Sequence, residues 1–146
     1  MNQKRAQTRF QPASTFKIAN ALIGLEVGAV RDLDEVLPYG GTRERLKQWE
    51  QDMNLKDAMK VSNVAVFHEL AKRTGQARMQ TWLERLRYGN AQAGPTAGTR
   101  FWLEGPLAIS PLEQVDFLKR LSGGELPVKP QVCQDVRKLI FQEKKG

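Results

Sequence analysis

Apolar residues recur at spacings of three and four along much of the chain, which is the period of α-helices with one buried face. The segment "STFKIANALIGLEV" predicts a first helix from about Ser14 to Val27, with Gly28 as its C-terminal breaker. The segment "VSNVAVFHELAKRTG" predicts a helix that ends at Gly75, and "QARMQTWLERLRYGN" predicts the next one. This pattern indicates a mostly helical chain.

Residues that favour helix ends set further boundaries. Thr42 can cap a short helix that runs through Trp49, and Asn54 can cap another in "LKDAMK". The segment "SPLE" from Ser110 predicts a capping box with proline at the first helical position, before a helix that stops ahead of Gly123. No convincing strand is longer than a few residues, and "FWLEG" is expected to be a short extended piece.

A last helix is predicted to begin at Pro130, with a stripe of apolar residues that includes Cys133. A buried structural thiol is therefore the expectation for this cysteine, and a single cysteine excludes an internal disulfide. With His68 as the only histidine, the chain also lacks the ligands of an ordinary zinc site. His68 is expected to be a partly exposed helix residue, and no metal site is predicted.

The 146 residues suit one domain, and 23 Lys+Arg against 16 Asp+Glu give a net charge of +7. These basic residues are mostly interleaved with acidic ones, so nucleic-acid binding is not expected. The sequence has no run of 18 apolar residues, so no membrane-spanning helix is expected either. The first ten residues lack the apolar core of a secretory signal, which indicates a cytoplasmic chain or one whose signal has been removed.

Ser14 and Lys17 are spaced so that both side chains lie on one face of a helix. At a helix N-terminus the dipole and free N–H groups favour a developing alkoxide on the serine. Apolar neighbours favour the neutral form of the lysine, which can act as a base or add carbon dioxide as a carbamate. This is the pattern of an activated nucleophile, although a serine cap followed by a surface lysine has the same spacing.

Further motifs follow in a fixed order, and together they resemble those of the class D (oxacillinase-type) serine beta-lactamases. The nucleophile helix of that family is similar to "PASTFKIANALIGLE", and S-x-x-K is shared with penicillin-binding proteins and class A enzymes. The other three elements are S-x-V at Ser62 and Val64, Y-G-N at Tyr88 to Asn90, and "FWLEG" with Trp102 and Leu103.

The resemblance implies a role for each matching residue. Ser14 would attack the lactam carbonyl, and a carbamylated Lys17 would be the general base for acylation and deacylation. Ser62 would relay a proton toward the lactam nitrogen. Val64 would pack against the modified lysine, and Trp102 would donate its indole N–H to the carbamate. No other cofactor is expected.

Leu103, Tyr88 and Asn90 are implied to support the pocket, the last two by shaping the loop beside it. Simpler interpretations stay open for individual residues. Trp102 can be a core residue, Ser62 can be a helix N-cap, and "YGN" can be a helix stop. The order and spacing of the motifs, and not any single residue, favour the catalytic interpretation.

The family's K-T-G motif on a C-terminal strand has no counterpart here, because "KRTG" lies at the end of a predicted helix. The resemblance runs from about Thr8 to Leu139. It therefore implies a single helical domain over residues 1–146, mostly α. That domain is the central helical part of the α+β beta-lactamase/transpeptidase-like fold, truncated, without its flanking antiparallel sheet.

Three functions remain as alternatives. The first is hydrolysis of beta-lactam antibiotics, hence antibiotic resistance, through an acyl-serine intermediate. The second is an inert or self-associating helical domain, with a second copy or a missing-domain partner over an exposed apolar face. The third is a penicillin-binding sensor or transpeptidase-like domain that is acylated without turnover. Resemblance implies a periplasmic location.

Overall fold

The structure is a computed structural model that describes residues 3–41, 43–44, 46–94 and 100–145. Its α-helices are α1 (Gln3–Gln7), α2 (Phe16–Val27), α3 (Leu55–Val61), α4 (Val64–Thr74), α5 (Gln76–Arg85), α6 (Phe101–Glu104), α7 (Pro111–Ser122) and α8 (Pro130–Lys145). Short 3₁₀ turns lie at Ala13–Thr15 and Lys47–Trp49. Within the described ranges, β-structure is limited to the isolated antiparallel bridges Phe10–Ile109 and Leu37–Met53.

Helix α2 is the centre of the molecule. Its residues Ala19, Ala21, Leu22 and Ile23 are fully buried, and the helix packs against α4 and α8. A Cβ atom at Gly24 would lie 2.7 Å from a terminal methyl of Leu70 on α4, so the glycine permits the two helices to approach closely. The residues at the start of α2 therefore project from a closely packed support.

Several predicted boundaries are confirmed. Gly28 ends α2 in the left-handed conformation, and the Asn54 side chain caps α3 by accepting a hydrogen bond from the Asp57 amide. Ser110 and Glu113 form the predicted capping box at the start of α7. Helix α8 starts at Pro130, and Cys133 is a buried free thiol. Each confirmed boundary combines an apolar period with a capping residue.

Other expectations are wrong. "FWLEG" is not extended: it forms the single helical turn α6, because it packs its aromatic residues Phe101 and Trp102 inward. Ser14 precedes the α-helix and lies in the 3₁₀ turn, and the segment before Trp49 is also a 3₁₀ turn. Helix α1 was not expected in the basic N-terminal segment.

The predicted cap Thr42 lies outside the described residues. None of the described helices is long and apolar enough to span a membrane.

Candidate active site

Ser14 lies in the middle of the tight turn Ala13–Thr15, which leads directly into α2. Ala13 has a φ of 51°, in the left-handed region that a side chain disfavours. Such a conformation costs about 1–3 kcal/mol and persists only where the surrounding structure imposes it. Ser14 itself is exposed, whereas Phe16 two residues later is buried and fixes the start of the helix.

The N-terminal end of this turn and helix has no side-chain cap, because neither Pro12 nor Thr15 accepts a capping hydrogen bond. The first backbone N–H groups of a helix lack intrahelical partners and carry partial positive charge. Within this turn the Thr15 amide donates to Pro12 O at 3.1 Å and the Phe16 amide to the carbonyls of Ala13 and Ser14. The positive end of the helix dipole therefore remains to stabilise negative charge beside Ser14.

Lys17, one turn after Ser14, reaches across to the junction of α3 and α4. Its Nζ atom donates a hydrogen bond to Ser62 Oγ at 2.7 Å, and the lysine side chain is half-buried. This contact joins residues 45 positions apart in sequence. Two of the three predicted catalytic residues are therefore in direct contact, and the third lies one helical turn away.

Ser62 is held by an unusual backbone. It closes α3 in the left-handed conformation, with φ 52° and ψ 50°. The predicted N-cap of α4 at Ser62 is wrong: the cap is Asn63, whose side chain accepts a hydrogen bond from the Val66 amide at 3.2 Å. Because asparagine caps the next helix, the serine hydroxyl is left for Lys17.

Asn63 is a residue that sequence reasoning missed. It is fully buried, and its amide nitrogen donates to the carbonyl oxygens of Trp49 and Gln51 at 3.2 and 3.4 Å. It thereby ties the α3–α4 junction to the preceding loop. An asparagine directly before an apolar helical run was the available signal, since asparagine is a preferred N-cap.

An open cleft with a volume of about 800 Å³ lies in front of these residues. The residues that line it are Ser14, Arg43, Glu44, Trp49, Ser62, Val64, Arg100 and Leu103. Four of them are predicted site residues, which the fold brings together from three separate parts of the sequence. Trp49 was missed as a wall of the cleft; its indole N–H donates to the Val61 carbonyl at 2.9 Å.

Trp102 lies behind the cleft and not among its lining residues. It is 5% exposed, its ring stacks on Phe16 with centroids 5.5 Å apart, and it meets the half-buried His68 edge-on at 6.2 Å. These contacts place it in the aromatic core beneath the start of α2. Its role as an indole donor to Lys17 stays a prediction.

Tyr88 is fully buried, with its ring edge-on to Phe16 and Phe117 at 5.7 and 5.1 Å. Burial raises the pKa of the phenol far above its ordinary value, and the neighbouring Thr15 and Gln114 side chains offset part of that rise. Thr15 and Gln114 lie near enough to the hydroxyl to act on its pKa, but neither is in hydrogen-bonding geometry with it, and the Gln114 amide donates to Thr15. Tyr88 thus supports the nucleophile turn from below.

Gly89 and Asn90 bind the "YGN" loop to the segment after α6. A Cβ atom on Gly89 would lie 2.1 Å from the Ala108 carbonyl oxygen, so only glycine fits. The Asn90 side chain donates to Pro106 O at 2.9 Å and accepts from the Ala108 amide at 3.1 Å. This loop holds backbone segments together.

Comparisons with known proteins agree with the arrangement. A family model described as "Penicillin binding protein transpeptidase domain" matches residues 1–146. The chain is 48% identical over 142 residues to beta-lactamase OXA-5 of Pseudomonas aeruginosa, covering 97% of this chain and 53% of that protein. It is 43% identical over 142 residues to the probable beta-lactamase YbxI of Bacillus subtilis, with the same coverage.

Solved structures give the same result. The class D beta-lactamase YbXI from Nostoc superposes with a TM-score of 0.91 at 38% identity, over 95% of this chain and 59% of that one. FUS-1 (OXA-85), a class D beta-lactamase from Fusobacterium nucleatum subsp. polymorphum, gives 0.90 at 46% identity, over 95% and 57%. The chain spans about half the length of the curated relatives it matches. It belongs to the penicillin-binding protein transpeptidase domain family, and within that family it corresponds to the helical part of the class D beta-lactamases.

Proposed function

We propose that Ser14 is acylated by beta-lactams and that the site belongs to a beta-lactam hydrolase. The observation that carries this proposal is the 2.7 Å hydrogen bond from Lys17 Nζ to Ser62 Oγ, at a cleft that Ser14 also lines. A nucleophile, an amine and a hydroxyl that can pass a proton are the parts that acyl transfer needs.

In the proposed reaction, the Ser14 hydroxyl gives its proton to the base at Lys17 while Oγ attacks the lactam carbonyl carbon. The carbon–nitrogen bond of the lactam then breaks, and Ser62 delivers a proton to the departing nitrogen. The positive end of the α2 dipole beside Ser14 stabilises the oxyanion. Water then gives a proton to the base at Lys17 and attacks the ester carbonyl; the bond from that carbon to Ser14 Oγ breaks, and the proton held at Lys17 passes to Oγ, which releases the opened lactam acid and restores Ser14.

The surroundings of Lys17 fit a carbamate formed from carbon dioxide. Lys17 is half-buried, the Ser62 hydroxyl accepts a hydrogen bond from its amine at 2.7 Å, and Val64 and Leu103 present apolar walls to the cleft. When formed, the carbamate supplies an anionic oxygen that is a stronger proton acceptor than a charged amine. Trp102 is the proposed indole donor to it.

The experiment is an intact-mass measurement of the chain after incubation with benzylpenicillin, combined with turnover of a chromogenic cephalosporin. We expect a mass increase equal to one penicillin on wild type, mapped to Ser14, and none on Ser14→Ala. Turnover in addition supports the hydrolase, and a stable adduct without turnover supports a sensor or transpeptidase-like domain. No adduct on a folded wild-type chain would contradict the proposed function.

An inert, self-associating helical domain is the second candidate. Leu112, Val115 and Leu118 are 49%, 50% and 41% exposed along one face of α7, and such a patch favours association. Sedimentation of the chain at several concentrations tests this: a dimer that shows no adduct on Ser14 would favour it over the enzyme. Beta-lactams as ligands and a periplasmic location are likewise proposals, drawn from the class D relatives.

A further inference from the structure

We propose that Gln114 is a positioning residue that holds the nucleophile turn in its reactive geometry, a proposal that rests on Ser14 being the nucleophile. Gln114 Nε2 donates a hydrogen bond to Thr15 Oγ1 at 2.7 Å, across 99 residues of sequence. Thr15 Oγ1 in turn donates to the Pro12 carbonyl at 2.6 Å. Both bonds meet at Thr15 Oγ1, and the one to Pro12 spans Ser14, so the pair links α7 to the residues on either side of the nucleophile.

The turn needs such an external restraint. Ala13 is in the left-handed region with a φ of 51°, and neither flanking residue caps the helix. Within the turn, the Thr15 amide donates to Pro12 O at 3.1 Å. A strained conformation persists only when its surroundings over-determine it, and the Gln114 bond is a link from outside the turn.

Helix α7 is a suitable anchor for this link. Its first turn is fixed by the Ser110–Glu113 capping box, and Glu113 also pairs with Arg9 at 2.8 Å. Further along, Arg120 donates to the Leu86 carbonyl at 2.7 Å from a nearly buried position. Gln114 directly follows the capped turn, so it transmits the position of α7 to the residue after the nucleophile.

The bond lies beside a groove. Thr15 and Gln114 line this mostly apolar groove of about 390 Å³ with Ile18, Phe117 and Leu118, and the bond itself is open to solvent. The buried Tyr88 ring supports the turn from below without a hydrogen bond of its own. Polar restraint of the turn by a side chain thus comes from Gln114.

Replacement of Gln114 by methionine separates positioning from packing. Methionine has a similar length and suits the apolar groove, so we expect Gln114→Met to keep the melting temperature within about 2 °C of wild type. We expect the rate of Ser14 acylation to fall about 10- to 100-fold, because small displacements of a nucleophile are costly. Amide hydrogen exchange of the peptide that contains residues 12–16 should become faster. Gln134→Met, on the exposed face of α8, is the matched control and should change none of these.

Thr15 provides a second, independent route. Thr15→Val removes the acceptor and should lower the acylation rate as Gln114→Met does, whereas Thr15→Ser keeps the hydroxyl and should restore most of the rate. The double variant Gln114→Met/Thr15→Val should be no slower than Thr15→Val alone, since Thr15→Val already removes the Gln114 bond together with the bond to Pro12. Additive losses would overturn the proposal, as would a Gln114→Met chain with wild-type acylation and exchange.

The exchange measurement keeps the two proposals distinguishable. If wild type forms no adduct, the proposed function fails, and faster exchange at residues 12–16 in Gln114→Met still supports the link. If wild type is acylated and neither variant changes acylation or exchange, the positioning role fails alone. If either Gln114→Met or Thr15→Val does not fold, the other variant is used for the test.

Discussion

The two ends of helix α2 are built in opposite ways. At the C-terminal end, Gly28 adopts φ 78° and ψ 16°, its N–H contacts the carbonyls of Gly24 and Leu25, and the Ala29 amide donates to Gly24 O at 2.9 Å. At the N-terminal end, a strained turn with no side-chain cap carries the exposed Ser14.

This difference separates stability from reactivity along one element. The closed end satisfies the backbone carbonyls that a helix terminus leaves free, as a stable helix requires. The open end places the positive end of the helix dipole beside Ser14 at the cleft, where negative charge would develop during the proposed acyl transfer. The buried middle of α2 separates the two ends, so we expect that strain in the turn at the N-terminal end does not disrupt the C-terminal end.

The largest effect is expected at Ser62, which accepts the hydrogen bond from Lys17 near the N-terminal end of α2. Ser62→Ala removes the hydroxyl that accepts from Lys17, and we expect acylation of Ser14 to fall about 10²- to 10³-fold, within the range for loss of a proton-transfer group. Ser62→Gly is the control, because glycine relieves the left-handed strain and should raise the free energy of unfolding by about 1 kcal/mol. Acylation kinetics and chemical denaturation check both variants. A glycine variant with wild-type acylation would contradict a role for the hydroxyl.

The second variant changes Gly89 in the "YGN" loop, whose Tyr88 packs beneath the N-terminal end of α2. Gly89→Ala puts a Cβ atom 2.1 Å from the Ala108 carbonyl, at a φ of 53°. The clash and the strain together should lower the free energy of unfolding by about 3 kcal/mol, measured by urea denaturation. A loss below about 1 kcal/mol would show that the "YGN" loop does not pack as described.

Gly28→Ala tests the closed end on its own. Nothing lies within 4 Å of the added Cβ atom, so only the left-handed φ of 78° opposes alanine. We expect a loss of about 1 kcal/mol in the free energy of unfolding and an unchanged acylation rate. If acylation fell about tenfold, the two ends would not be separable.

The smallest expected effect concerns the segment that leads into the open end. Arg9 holds the pKa of Glu113 down to about 2 by hydrogen bonding, with the Ser110 backbone adding to it. A depressed carboxyl pKa contributes stability above the ordinary value of 4.5, and that contribution is lost as the pH falls toward about 2. Since Glu113 is 34% exposed, solvent screening reduces the contribution to about 1 kcal/mol.

Glu113→Gln is the matched variant, because glutamine preserves the capping box and removes the charge. We expect its melting temperature to be lower than that of wild type at pH 7, with the difference gone near pH 2. A difference that stays constant between pH 7 and pH 2 would contradict the ion pair as its source.

Sequence reasoning located the helices wherever periodicity and caps agreed, as at Gly28, Asn54 and Ser110. It failed where tertiary packing overrides local preference: aromatic burial turns "FWLEG" into α6. Motif order pointed to Ser14, Lys17 and Ser62, which the fold brings close together, and their catalytic roles stay predictions. Asn63 was missed although its place before an apolar helical run signals an N-cap. Its contacts to Trp49 and Gln51 and the Gln114 contact to Thr15 could not be predicted, because local patterns carry no information about partners distant in sequence.

The most direct test of the central claim measures the rate of Ser14 acylation by benzylpenicillin in wild type, Lys17→Ala and Lys17→Arg, with and without added bicarbonate. Arginine keeps a charged donor for Ser62 but cannot be deprotonated, so it cannot serve as a base. We predict that both variants lose at least about 10²-fold in rate and that bicarbonate accelerates only wild type. A Lys17→Arg chain acylated at the wild-type rate would contradict the account.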